Sequence, residues 1–132
     1  MIIRLRLPFP PTANHYNAQR VVMSCGKPKV FYYRTAKAKM FYDTVAALVI
    51  DKFNEPPMIT SMLSVWIELT APSKHRRDVS NYAKCIEDAL QAAGLFIDDS
   101  QIDDLKITRL GVDPAKVGWA DVTITSVERA FT

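Results

Sequence analysis

The sequence predicts an α+β fold, with two helices packed on a mixed or antiparallel sheet. Three observations carry this. Apolar and polar residues alternate at 2–7, 62–70 and 120–127, as half-buried strands require. Apolar stripes of helical period run through 36–53 and 81–93. Proline and glycine mark the joints between these stretches.

Taken in order, Ile2 to Leu7 is a strand that sets Arg4 and Arg6 on one face, and Pro8, Pro10 and Pro11 end it. Thr12 to Asn17 reads as an ordered loop. Residues 20–24 and 29–33 flank the turn-rich Ser24-Cys25-Gly26-Lys27-Pro28, which predicts a hairpin. Thr35 is placed to cap a helix over 36–53, with Ala38, Phe41, Val45, Leu48 and the stem of Lys52 along its buried stripe. Pro56 and Pro57 close that helix. In the strand at 62–70, Leu63, Val65, Ile67 and Leu69 share one face. A basic loop, Ala71 to Arg77, leads to a helix over 81–93 that stops at Gly94. Its buried stripe is Tyr82, Cys85, Ile86, Ala89, Leu90 and Ala93. Residues 104–112 and 120–127 supply the last two strands.

The composition fits this picture and excludes others. The chain has 132 residues, 48% hydrophobic and 23% charged, which suits one compact domain spanning residues 1–132. No apolar run approaches the roughly 20 residues of a membrane span, and the first residues lack a secretory signal's apolar core, so a cytoplasmic protein is expected. Two cysteines are too few for a disulfide scaffold. With His15 and His75 not at ligand spacing from them, they do not build a zinc site either.

Charge is distributed unevenly. Residues 1–77 hold 12 Lys and Arg against 4 Asp and Glu, a net of +8, and residues 78–132 hold 5 against 10, a net of −5. A basic half joined to an acidic half suits a protein that grips a polyanion and performs metal chemistry on it. A soluble protein with a lopsided surface would look the same on charge alone.

Two segments carry candidate chemistry. In the first, Asp78 and Ser80 open the second helix, and Asn81, Lys84 and Asp88 fall within about 60° of one another beside its apolar face. Helix capping by Asp78 or Ser80, with a Lys84–Asp88 pair four residues apart, would explain them structurally. In the second, Asp98-Asp99-Ser100-Gln101 follows the apolar Leu95-Phe96-Ile97. Adjacent carboxylates there are expected to be solvated or to hold a hard cation such as magnesium, and the spacing does not match a calcium-binding EF-hand loop. A helix of about 13 residues is roughly 20 Å long. Asp78 and Asp99 therefore meet only if the chain after Gly94 runs back along the helix, or if a second subunit supplies one of them.

Asp78-x-Ser80-Asn81-x-x-Lys84-x-x-x-Asp88-Ala89-Leu90, then Gly94, then Asp98-Asp99-Ser100-Gln101, resembles the RusA family of Holliday junction resolvases. The family pattern runs Asp-Leu-Asp-Asn-Leu, a Lys three residues after the Asn, Asp-Ala-Leu, a Gly and Asp-Asp-x-Gln. Leu7-Pro8-Phe9-Pro10-Pro11-Thr12-Ala13-Asn14 is similar to the family's opening strand and Pro-Pro-Ser-x-Asn turn.

The resemblance implies a magnesium-dependent endonuclease, with manganese able to substitute, that cuts four-way DNA junctions as a homodimer and has no membrane association. It implies a nucleoid-associated setting in the cytoplasm of a bacterial or phage-infected cell. By position, Asp78, Lys84 and Asp99 are the implied catalytic residues. Asp78, Ser80, Asp98 and Asp99 are the implied metal set, with Asn81 and Asp88 supporting. Ser80 stands where the family has a second aspartate, so the pocket lacks one formal charge. The alternative is therefore a branched-DNA-binding protein with weak or lost cleavage, and behind it a small interaction domain with an incidental acidic loop. DNA contacts are expected from Lys74, His75, Arg76 and Arg77 beside the site, and from Arg20, Lys27, Lys29, Arg34, Lys37, Lys39 and Asn14 further out. His15, Tyr16 and Tyr33 are further candidates for touching unpaired bases.

Overall fold

The computed structural model describes residues 1–12 and 17–130. Strand β1 (Ile2–Pro8) is followed by a hairpin, β2 (Asn17–Ser24) and β3 (Lys27–Arg34), then helix α1 (Ala36–Phe53). Next come β4 (Ser61–Ala71), helix α2 (Ser80–Ala92), a single 3₁₀ turn at Asp99–Gln101, β5 (Ile102–Val112) and β6 (Trp119–Ala130). The main sheet is mixed, in the order β1-β6-β4-β5; only β4 and β5 run parallel. A parallel pair needs a crossover, and α2 supplies it. The hairpin forms a separate two-stranded sheet, closed by Cys25 and Gly26, both at positive φ, the geometry of a type I′ turn.

Strand alternation becomes layering directly. Ile3, Leu5 and Leu7 of β1, Leu63, Val65, Ile67 and Leu69 of β4, and Ala120, Val122 and Ile124 of β6 form the buried face on which the helices rest. Arg4 and Arg6 point away from the core, as expected. There Arg6 pairs with both carboxylate oxygens of Asp121, at 2.8 and 3.0 Å, and lies over the Trp119 ring.

Helix α1 is capped by Thr35, whose hydroxyl oxygen accepts from the Ala38 N–H. Its buried stripe differs from expectation. Ala38, Phe41 and Val45 are buried as predicted, but Tyr42 and Val49 join them, Leu48 is half-buried and Lys52 is exposed. The helix packs against both β1 and α2, so the buried face is wider than one stripe and centred nearer Tyr42 and Val49. Helix α2 buries the expected residues, together with Ala83. Burial pushes the Cys85 thiol up to about 12, so it is a core residue and not a reactive one.

Gly94, at φ +80°, ends α2. A Cβ there would come within 2.6 Å of Pro56 Cβ, so only glycine lets the chain turn so close to the segment after α1. The chain then runs beside that segment. The Gly94 carbonyl accepts from Met58 N–H, the Leu95 carbonyl accepts from Ile59 N–H, and Leu95 and Phe96 are fully buried.

Asp113 organises the turn between β5 and β6. Its oxygens accept from the backbone N–H groups of Ala115, Val117 and Gly118 at 2.9 to 3.1 Å, and these bonds hold its carboxyl below the usual carboxylate range. A depressed folded-state value means that the stabilisation is present at neutral pH and is lost as pH falls below about 4 towards the folded value. Asp113→Asn should therefore lower stability at pH 7 more than at pH 3, measured by urea denaturation across that range. Equal losses at both pH values would show that the ionised form contributes nothing.

Candidate active site

The chain does run back along α2, within one subunit. Asp99 reaches the second turn of the helix, where its Oδ2 accepts from Lys84 Nζ at 2.7 Å. Lys84 also pairs with Asp88 Oδ1 at 2.9 Å, as its four-residue spacing predicts. The Asp99 backbone N–H donates to the side-chain oxygen of Gln91, further down α2. Lys84 thus bridges two carboxylates. The hydrogen bonds to Asp99 and Asp88 raise its ammonium above the ordinary lysine range, and Lys84 in turn holds the Asp99 carboxyl below its own. Both groups are ionised at neutral pH.

Gln101 aims this arrangement. It is fully buried, and its side-chain oxygen accepts from the backbone N–H groups of Ile97 and Asp98 at 2.8 and 2.9 Å. Its amide nitrogen donates to the carbonyls of Ile59 and Ser61 at 2.8 and 2.9 Å. One amide therefore satisfies four backbone groups on two segments and fixes the turn from which Asp98 and Asp99 project. Asp98 has a structural task as well. It caps the 3₁₀ turn in a reciprocal box with Gln101 and accepts from the Ser100 hydroxyl. The sequence predicts a pair that is solvated or holds a cation; both carboxylates instead have protein partners, Asp98 in its own turn and Asp99 at Lys84.

Asp78 sits at the start of α2. Its Oδ1 accepts from the Ser80 N–H at 3.2 Å and the Ser80 hydroxyl at 2.9 Å, and its carbonyl accepts from Asn81 N–H. Val79, not Asp78 or Ser80, is the N-cap, and it makes no side-chain cap bond. Asp78 also lines a shallow cavity with Arg76, Arg77 and Arg109, so it lies among cations. At helical pitch the six residues from Asp78 to Lys84 rise about 9 Å. The contacts of Lys84 are with Asp99 and Asp88, and those of Asp78 are with Ser80 and Asn81.

Glu87 is a residue that the sequence reading missed. Half-buried, it has its carboxyl raised by burial, with Asp99 and Asp88 adding and Lys84 opposing. Its position three residues after Lys84 on the same helix was the available signal.

Asp88 and Asp99 thus contact one ammonium, with Glu87 near enough to feel all three charges, a local excess of negative charge. Among the described residues, no three His, Cys, Asp or Glu side chains converge into a metal cage. Magnesium does not require one, since it commonly takes one or two carboxylates and keeps its waters. The hard oxygen donors present fit such an ion.

The basic residues divide into two groups. Arg77 is committed to its own loop, donating to the Ser73 carbonyl at 2.9 Å, the Ser73 hydroxyl at 2.8 Å and the His75 carbonyl at 3.2 Å, while lying over the Phe9 ring. Arg34 stacks 3.8 Å from the Tyr42 ring centroid. Lys74, His75 and Arg76 are exposed in the loop before α2, Lys27 and Lys29 are exposed on the hairpin, and Lys37 and Lys39 are exposed at the start of α1. Asn14, His15 and Tyr16 lie outside the described residues, as do the side chains of Arg20 and Tyr33. No helix is long and apolar enough to cross a membrane among the described residues.

A family profile described as "Endodeoxyribonuclease RusA" matches residues 8–124. The chain is 28% identical over 123 residues to the crossover junction endodeoxyribonuclease RusA of Escherichia coli K12, covering 93% of both chains. It is similarly 28% identical to the enzyme of that name from Enterobacteria phage 82 and 27% identical to that of Shigella sonnei, with the same coverage.

Gln101→Leu should cost about 2–4 kcal/mol, because it strands buried backbone donors and acceptors. Lys84→Met, at an exposed ion pair, should cost under about 1 kcal/mol. Chemical denaturation of the two variants checks the contrast, and equal losses would remove the amide from its central place.

Proposed function

Because the chain belongs to the RusA family of endodeoxyribonucleases, we propose that it is a magnesium-dependent endonuclease that resolves four-way DNA junctions by paired cleavage as a homodimer. The observation that carries this reading is the Lys84–Asp99 contact, set by the Gln101 clamp on the helix that Asp78 opens. The twofold symmetry of a dimer suits a substrate that must be nicked twice.

Asp78 and Asp99 would hold the divalent ion, with Ser80 and Asp98 beside them. A bound ion of this kind supplies an activated water and offsets charge on the phosphate. The protein's own residues do the rest. Lys84 stays protonated, and an ammonium released from Asp99 remains tethered by Asp88, in place to meet developing charge on a phosphate oxygen. Lys74, His75 and Arg76, exposed just before Asp78, grip the phosphates that flank the cut, so binding weakens steeply with salt.

One observation favours a second reading, a branched-DNA-binding protein with weak or absent cleavage. The Ser80 hydroxyl donates to Asp78 Oδ1 and so occupies an oxygen that a metal ion would use.

A synthetic four-way junction separates the readings. The first expects nicking in Mg²⁺ or Mn²⁺ and binding without nicking in EDTA; the second expects binding and no nicking in any of the three. Asp78→Asn and Asp99→Asn should each lower the cleavage rate by about 100-fold or more while leaving junction affinity within about threefold. Normal rates in both would misplace the metal pocket. Ser80→Asp should lower the magnesium concentration needed for half-maximal cleavage, and an unchanged requirement would turn Ser80 away from the ion.

A further inference from the structure

We propose that the cavity under the basic loop receives a single nucleobase drawn out of the stack beside the cleaved phosphate, and that it sets which junction sequences are cut. The proposal rests on the junction-cleaving reading and deepens it. A cavity of about 270 Å³ lies between the 73–77 loop, the first turn of α2 and the far end of β5. Its lining is apolar and aromatic: Phe9, Leu69, Val79, Tyr82, Leu110 and Val112. Phe9 and Tyr82 form a tilted ring pair with centroids 5.0 Å apart. The lining also includes Lys74, His75, Arg76 and Arg109, all exposed and so on its solvent side.

The walls are built without a ligand. Arg77 is tied to Ser73 and His75 by three hydrogen bonds, and Arg109 donates to the Arg77 carbonyl, joining β5 to the loop. An apolar floor with a cationic mouth matches one occupant, a flat heterocycle flanked by phosphates. An apolar small molecule gains nothing from the cations, and a phosphate alone gains nothing from the floor. The cavity also adjoins the shallower one containing Asp78, since both are lined by Arg76, Arg77, Val79 and Arg109. A base seated here therefore places its own backbone phosphate beside Asp78.

A branch point makes this occupant accessible, because a base whose pairing is already disturbed costs less to unstack. The mouth also points to a preference. Lys and Arg side chains only donate, so they favour a base edge with adjacent acceptors, such as O6 and N7 of guanine or O2 and N3 of cytosine.

The test uses the full-length protein and four-way junctions that differ only in the base next to the nick, with 2-aminopurine at that position as the reporter of unstacking. Wild-type protein should cut the four junctions with a spread of about tenfold or more, as one lost base contact implies. In EDTA it should change the 2-aminopurine fluorescence on binding. Leu110→Trp fills the cavity from an exposed edge-strand position, so it should cut the four junctions within about twofold of one another and lose the fluorescence change. A junction carrying an abasic nucleotide at that position tests the same point with wild-type protein and should be cut about tenfold more slowly. Equal cutting of all four junctions by wild-type protein, unchanged discrimination in Leu110→Trp, or full-rate cutting of the abasic junction would each overturn the pocket's role. Failure of wild-type protein to bind any junction would instead overturn the junction reading, and the pocket with it.

Discussion

One buried amide holds the candidate site in place. Gln101 lies where the segment leaving α1 meets the segment leaving α2, and each of its two ends serves one of them. A carboxylate of the same shape would turn the two donations to carbonyls into repulsions, and an aliphatic residue would leave four backbone groups without partners in the interior. Leu95 and Phe96 anchor the same return in the core, and Gly94 lets it begin so close to Pro56. The approach of Asp99 to Lys84 follows from these contacts. An exposed ion pair of this kind contributes too little to fold the chain between two residues 15 positions apart around itself, so it reads out the geometry and does not cause it.

Much of the fold was legible because period-two and period-3.6 patterns report which face is buried. β1, β4 and α2 bury the residues that their spacing picks out. For α1 the pattern was misleading. Its stripe widens onto Tyr42 and Val49 because two neighbours, β1 and α2, press on the helix from different directions, and a single-stripe reading assumes one. The parallel pairing of β4 with β5 was equally invisible, since register between strands far apart in the chain leaves no local mark. In the site, the Lys84–Asp88 spacing and the capping box at Asp98 and Gln101 were there to read in the sequence. The long-range half of Gln101's bonding, to Ile59 and Ser61, has no local signature.

The basic half of the chain also proves less uniform than its charge. Arg6, Arg34 and Arg77 each lie over an aromatic ring, and Arg6 and Arg77 also hydrogen-bond to fixed protein groups. Arginine suits such bracing because its planar fork can stack and donate together, whereas Lys27, Lys29, Lys37, Lys39 and Lys74 are exposed point charges on the hairpin, α1 and the 74–77 loop. Bracing and exposed charge thus fall largely to different residue types within one net charge. That division explains how the loop before Asp78 can be ordered and strongly basic at once.

Ser80 belongs to the same balance. Asp78 already lies among three arginines at a helix start, a setting that favours one carboxylate. A second carboxylate two residues on would face Asp78 Oδ1 across the distance at which the Ser80 hydroxyl now donates, and it would repel unless a cation lay between them. Serine turns that repulsion into a hydrogen bond, so the start of α2 is settled without an ion. The negative excess is displaced to the other end of the site, where Glu87, Asp88 and Asp99 crowd one lysine. Negative charge is therefore concentrated on the Asp99 side, and whatever draws Asp99 away from Lys84 also loosens the ammonium. Acidic pull and a releasable positive charge are coupled through one contact, and the Gln101 clamp keeps that contact within reach of the helix.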